Sequence, residues 1–233
     1  MGRRPILAFA CLWLAAGGWA QQRPQVVILL VGPPGSGKGT QAKMITEKYG
    51  VPAFSTGDLL RAEVKEGTAL GKRIQPVMAQ GGLVDDSIVN ELVAGRTLKP
   101  DAARGFILDG YPRTVAQAQF LDRLLAERRW PRPTVIHLDV PDSVVIERLL
   151  QRGRADDKPE VIRGRLKKYE SETAPVLKHY SAGDYHRIDG TKAPEAVFAQ
   201  IETVLRKKMG RKSAGSAGGT ARAVRAQTTL GTA

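Results

Sequence analysis

The chain alternates short apolar runs with longer amphipathic stretches. Residues 26–31 (Val, Val, Ile, Leu, Leu, Val) are unbroken apolar, the mark of a strand covered on both faces. A helical pattern follows from Thr40. Residues 49–54 contain a helix stop at Gly50 and a short strand. Two amphipathic helices are expected at 69–80 and 86–98, parted by Gly81 and Gly82. A buried strand at 105–109 comes next, then a helix at 115–128, a strand at 134–140 and a helix from 141 to about 152. A long helix at 159–180, a strand at 185–189 and a last helix at 194–209 complete the pattern. Strands separated by helices predict an α/β fold with a five-stranded parallel sheet and helices on both faces.

Gly32-Pro33-Pro34-Gly35-Ser36-Gly37-Lys38-Gly39-Thr40 joins the first strand to the first helix. In that setting successive backbone N–H groups can curl around a phosphate. Glycine removes the Cβ that would obstruct them, and the helix N-terminus adds partial positive charge. Lys38 supplies a mobile full charge. The spacing fits G-x-x-x-x-G-K, but Gly39 follows the lysine and Thr40 comes one place later. GTPase and motor-type loops hold magnesium through a hydroxyl directly after the lysine, so the pattern points away from those classes.

Ser55-Thr56-Gly57-Asp58-Leu59-Leu60-Arg61 combines a helix cap with an acidic first turn, and Arg61 falls one turn beyond Asp58. It reads either as a cap alone or as part of a site. Asp109 ends the strand at 105–109, at the end where open parallel sheets bind ligands. There it stands beside the phosphate loop, able to hold magnesium through water, or serves as an ordinary strand-end turn. Arg148 and Arg152 share a helix face. With Arg154 and Arg165 they form a basic set that repels itself unless an anion lies among them. Arg163, Lys167 and Lys168 fit a solvated face.

Net charge is +13 over 233 residues, which invites a nucleic-acid reading. Its distribution weakens that reading. Residues 206–233 hold seven basic side chains and residues 1–20 hold two, neither segment with an acid, and removing these nine leaves +4 for the middle. Residues 1–20 read as a signal peptide: Arg3 and Arg4, then an apolar stretch, then Gly18-Trp19-Ala20 before a cleavage site at Gln21. A mis-assigned start or an uncleaved leader is the other reading. Residues 210–233 are expected to be a disordered basic tail. Cys11 is the single cysteine and the three histidines lack metal spacing, which excludes an intramolecular disulfide and a cysteine-ligated zinc.

Several motifs now coincide in order. GPPGSGKGTQ (32–41), STGDLLR (55–61), GGLVDD (81–86), GFILDGYPRT (105–114), Gln117, RLLQRGRADD (148–157), RGRL (163–166) and DGTK (189–192) together resemble the adenylate kinases of the nucleoside-monophosphate kinase family, over nearly all of residues 26–208. The resemblance implies a kinase domain at 25–209 that catalyses ATP + AMP ⇌ 2 ADP as a monomer. It implies ATP binding by Gly35, Ser36, Gly37, Lys38, Gly39, Thr40, Arg152 and Lys192. It implies an AMP-binding part at 55–84 and AMP contacts from Thr56, Arg61, Gly82, Leu83, Val84, Gly110, Tyr111, Pro112, Arg113, Gln117, Arg154 and Arg165. Catalytic charge would come from Lys38, Arg113, Arg148, Arg152, Arg154 and Arg165. Asp58 and Asp109 would order water around Mg²⁺. Similar UMP/CMP kinases typically carry Ala and Asn where this chain has Thr56 and Gln117, so the resemblance favours adenine.

One region departs from the family pattern. Many bacterial adenylate kinases carry a long lid, sometimes zinc-bearing, where this chain has only Gly153 between Arg152 and Arg154. A lid at 151–155 this short leaves no room for a zinc site. A UMP/CMP kinase of the same fold, or a nucleic-acid-binding protein with a vestigial site, are the alternatives. No nucleic-acid partner is expected, and no membrane span once the leader is removed. The family's usual place is the cytoplasm, whereas the leader points to export into the periplasm.

Overall fold

A computed structural model describes residues 26–213. Five strands form one parallel sheet: β1 (Val27–Val31), β2 (Ala53–Ser55), β3 (Phe106–Asp109), β4 (Thr134–Asp139) and β5 (Asp184–Asp189). Their order is β2-β3-β1-β4-β5. β1 pairs with β3 from Val27 opposite Phe106, and with β4 from Ile28 opposite Thr134. The chain leaves β1 toward β2 on one side and leaves the adjacent β3 toward β4 on the other, which opens a crevice at the carboxyl ends of these two strands.

The helices are α1 (Lys38–Tyr49), α2 (Thr56–Glu66), α3 (Ala69–Ala79), α4 (Asp86–Thr97), α5 (Val115–Glu127), α6 (Asp142–Arg152), α7 (Pro159–Lys168), α8 (Ala174–Tyr180) and α9 (Pro194–Ser213). Their ends follow local chemistry. Ser55 and Thr68 accept the backbone N–H groups of Asp58 and Gly71, capping α2 and α3, while left-handed Gly50, Gly67 and Gly153 stop α1, α2 and α6.

The continuous apolar run of β1 has its reason in two cores. Val27, Leu29 and Val31 face one core with Phe54, Phe106 and Leu108. Ile28 and Leu30 face the other, against Ala42 and Ile45 of α1 and Val197, Ile201 and Leu205 of α9. Burying each such side chain contributes roughly 1.5–3 kcal/mol. A smaller cluster (Val140, Val145, Leu149, Ile162 and Leu166) joins α6 to α7.

The long helix expected at 159–180 is interrupted. A π-helical turn, Tyr169–Thr173, separates α7 from α8. Pro175 lacks the N–H that an α-helix needs and its ring crowds the preceding turn, so the backbone widens before it. The last helix continues to Ser213, four residues past its expected end at 209. The expected leader at 1–20, and the remainder of the expected basic tail after 213, lie outside the described residues. Among the described residues no helix is long and apolar enough to cross a membrane.

Candidate active site

The turn after β1 is shaped by glycine at three points where φ is positive, Gly32 (+155°), Gly35 (+84°) and Gly37 (+94°). A Cβ on Gly35 would come within 2.8 Å of Leu149 Cγ, so this glycine also lets α6 pack against the loop. Lys38 opens α1, and its Nζ donates to the carbonyls of Gly32 and Pro33, both at 2.8 Å. Burial lowers the Lys38 ammonium pKa to about 8. Asp109 pulls it up, while Arg113, Arg165 and Arg152 push it further down.

A cleft of about 1090 Å³ opens over this loop at the carboxyl end of the sheet. Asp58 and Arg61 reach it from the first turns of α2 and form an ion pair there. Burial acts to raise the Asp58 carboxyl, but hydrogen bonds from Arg61 and Ser55 outweigh it, so its pKa is lowered. Gly82, Leu83 and Val84 line the cleft between α3 and α4. Gly110, Pro112 and Arg113 line it after β3, and Arg113 Nε donates to the Gly110 carbonyl at 2.8 Å. Asp109 lies against the loop, since a Cβ on Gly39 would stand 3.6 Å from its Oδ2. Burial raises the Asp109 pKa, with Lys38 and Arg113 opposing.

The arginines of α6 and α7 meet at Asp157. Its carboxylate accepts Arg152 Nε at 2.9 Å, Arg152 Nη2 at 2.7 Å, the Arg154 backbone N–H at 3.0 Å and Arg165 Nη1 at 3.4 Å. Burial acts to raise its pKa, but these bonds dominate and hold it below the usual carboxylate range. Arg165 also pairs with Asp156 at 3.0 Å. Arg152, Arg154 and Arg165 all line the cleft. On its other flank, Gly81 (φ +69°) accommodates the Arg165 stem, whose Cγ would meet a Cβ there at 2.8 Å.

Asp157→Asn removes the charge that gathers these arginines. Its side chain is fully buried while that of Arg152 is 32% exposed, so solvent discounts the loss. A stability decrease of about 2 kcal/mol is expected in urea unfolding at pH 7. Because the folded pKa is depressed, the wild type gains this stability above the unfolded carboxyl pKa and loses it as pH falls through the folded value. The variant should therefore show less acid destabilisation; an unchanged stability-versus-pH curve would refute this role for Asp157.

The sequence-predicted residues do not all reach the cleft. Gly35, Ser36, Gly37, Lys38, Gly39, Thr40, Arg148 and Lys192 do. Thr56, Tyr111 and Gln117 instead stand buried behind its wall. Thr56 Oγ1 donates to the Gly110 carbonyl at 2.9 Å, and Tyr111 Oη donates to Asn90 Oδ1 at 2.5 Å. Gln117 donates to Asp86 Oδ1 at 2.7 Å and accepts the Arg113 N–H at 2.7 Å, bracing Arg113 from behind. Arg148, expected to face phosphate, donates to the Gly190 and Thr191 carbonyls at 2.8 and 3.1 Å. The turn after β5 brings both carbonyls to it, which helical spacing could not reveal. Sequence reasoning missed Asp157 as the shared anchor, although the Arg-x-Asp-Asp run was visible. It also gave no role to Gln41, Tyr169 or Thr191, all of which line the cleft.

The adenylate kinase family model matches residues 30–185. The chain is 47% identical to the adenylate kinase of Sinorhizobium medicae over 189 residues, covering 76% of this chain and 98% of that protein. It is 47% identical to the adenylate kinase of Agrobacterium fabrum over 191 residues (77% and 97%) and 46% identical to that of Stenotrophomonas maltophilia over 184 residues (77% and 98%).

Proposed function

This chain belongs to the adenylate kinase family and transfers a phosphoryl group reversibly from ATP to AMP, and we propose that the cleft residues divide that work by position. The observation that carries the reading is crowded positive charge: Arg113, Arg165 and Arg152 all act on Lys38 inside one cleft. Such a cluster is built for a polyanion.

In this reading an oxygen of the AMP phosphate attacks the γ-phosphorus of ATP as the bond to the β-phosphate oxygen breaks, so one phosphoryl group moves and two ADP result. Positioning and charge neutralisation do the catalysis, with little need for a general base. The loop from Gly35 to Thr40 cradles the donor phosphates. Lys38 exchanges its two carbonyl partners for phosphate oxygens. Arg152 and Lys192 serve the donor side. Arg61, Arg113, Arg154, Arg165 and the backbone of Gly82, Leu83 and Val84 serve AMP, with residues 55–84 as the AMP-binding part and 151–155 as a very short lid. Thr56, Tyr111 and Gln117 shape the acceptor pocket from behind its wall. Arg148 acts through the turn it holds.

Asp58 and Asp109 fit a hydrated Mg²⁺. They are two carboxylates on one side of the cleft, with Gly39 leaving the space beside Asp109 open, and magnesium keeps most of its waters in such sites. When bound, the ion would neutralise charge on the donor phosphates. All these residues lie on one chain, which supports a monomer as the working unit.

The test is ADP formation from ATP with AMP, UMP or CMP, with and without Mg²⁺. AMP alone should be turned over efficiently, and a chelator should abolish turnover. Preference for UMP or CMP would overturn the acceptor reading.

A further inference from the structure

We infer that Asp86 is a positioning residue of the acceptor site, which sets Arg113 in place through Gln117 and Thr114. The inference rests on the proposed function, in which Arg113 meets the AMP phosphate. Asp86 opens α4, two residues after Val84, and does not itself line the cleft. It is half-buried, and both of its carboxylate oxygens are in use. Oδ1 accepts Gln117 Nε2 at 2.7 Å, and Oδ2 accepts the Thr114 hydroxyl at 2.6 Å. Thr114 Oγ1 in turn accepts the Gln117 backbone N–H at 3.1 Å, which caps α5. Gln117 Oε1 accepts the Arg113 backbone N–H at 2.7 Å.

The direction of every bond in this relay follows from Asp86. A carboxylate accepts and never donates. It therefore takes the nitrogen end of the Gln117 carboxamide, which leaves the oxygen end for Arg113. Turning the carboxamide over would set oxygen against oxygen at Asp86 and N–H against N–H at Arg113. Those are two mismatches in a side chain whose residue is only 2% exposed. The Thr114 hydroxyl spends its hydrogen on Asp86 as well, so it meets the first turn of α5 as an acceptor. Without Asp86 both side chains can turn, and the Arg113 N–H loses its fixed partner. The guanidinium keeps its Nε bond to the Gly110 carbonyl at 2.8 Å, but on a backbone that can shift. A phosphate site tolerates little such drift, since a misplacement of about 1 Å can cost about 100-fold in rate. Asp86 also follows directly on the wall at 82–84, so it ties that wall to Arg113.

The experiment measures kcat/KM for AMP at saturating ATP, and KM for ATP at saturating AMP. It compares the wild type with Asp86→Ala, Asp86→Ser and Asp86→Asn, each with Arg113 present and in an Arg113→Ala background. Thermal melting establishes that each variant is folded. Asp86→Ala and Asp86→Ser should lower kcat/KM for AMP at least about tenfold, with KM for ATP unchanged. Asp86→Asn should recover most of the rate, because its amide oxygen still takes Gln117 Nε2 while its nitrogen donates to the Thr114 hydroxyl. In the Arg113→Ala background the same changes should cost less than about twofold, since the residue they position is gone. An equal cost in both backgrounds overturns the proposal and leaves Asp86 a brace of the fold. A folded Asp86→Ala with the kcat/KM of the wild type overturns it too. Gln117→Met cuts the relay at its middle and serves where the Asp86 variants do not fold; additivity of its loss with that of Arg113→Ala overturns the relay. Near-normal turnover by Arg113→Ala alone would sink the place of Arg113 in the proposed function, and this proposal with it.

Discussion

Lys38→Met should lower kcat by at least about 100-fold and leave the protein folded. Among the described residues the ammonium has no carboxylate partner at hydrogen-bond distance; its shortest bonds go to two loop carbonyls, with a longer one to Ser36 Oγ at 3.5 Å. It is held charged against burial and three arginines, so a neutral side chain of similar length relieves strain in the resting state and fails only when phosphate charge must be met. The pH dependence gives an independent check. The folded pKa, about 8, lies below the ordinary 10.5. Between those values the unfolded chain binds more protons, so this group makes stability rise with pH across that window, and the increment should vanish in Lys38→Met. In the wild type kcat/KM for ATP should fall above about pH 8 as the free enzyme loses this proton. Bound triphosphate restores the charge, so the corresponding limb of kcat should lie at higher pH. Near-normal turnover by the folded variant would remove Lys38 from the mechanism.

Arg113→Ala should cost about as much, at least 100-fold in kcat/KM for AMP, roughly the loss seen when one preorganised charge is removed from a transition state. The Nε bond to Gly110 fixes the plane of the guanidinium, and Gln117 fixes the backbone beneath it. A fork held in this way meets two phosphate oxygens together. Burial lowers its pKa, as does the neighbouring Arg165, while Asp109 raises it. Deleting it therefore relieves repulsion, and the melting temperature should change little. Arg113→Lys keeps the charge without the fork and should recover only part of the rate. A rise in KM for AMP with kcat intact would show that Arg113 binds ground and transition states alike, and would rule out a preferential hold on the transferring phosphoryl group.

The strands, the phosphate loop and most helix limits were legible because local chemistry decides them. An apolar run buried on both faces, a serine cap and a glycine stop need no knowledge of distant residues. The π-helical turn at 169–173 was not legible in the same way, since the apolar spacing of a helix passes through it almost unchanged. Only Pro175 signals it. At the site, spacing placed Arg148 and Arg152 on one face correctly but not their partners. One faces the carbonyls of a turn far along the chain, and the other faces Asp157. Thr56 and Gln117 were visible as motif members, yet their burial behind the wall depends on how β3 meets α2 and α5. Asp86 lay inside a recognised motif, and only the placement of Thr114 and Gln117 beside it distinguishes it.

The strand order has a consequence for the way the chain is made. β1 is the first strand to be synthesised and the central strand of the finished sheet. Its neighbours begin at Phe106 and Thr134, so although Ala42, Ile45 and Phe54 can cover part of it early, its two edges are not both paired until more than half of the polypeptide has emerged. Pairing across such separations is slow, and the waiting segment is sticky. Fragments ending before β4 should therefore not fold but aggregate, and the domain should form as a single cooperative event late in synthesis, when strands on both sides of β1 are present at once.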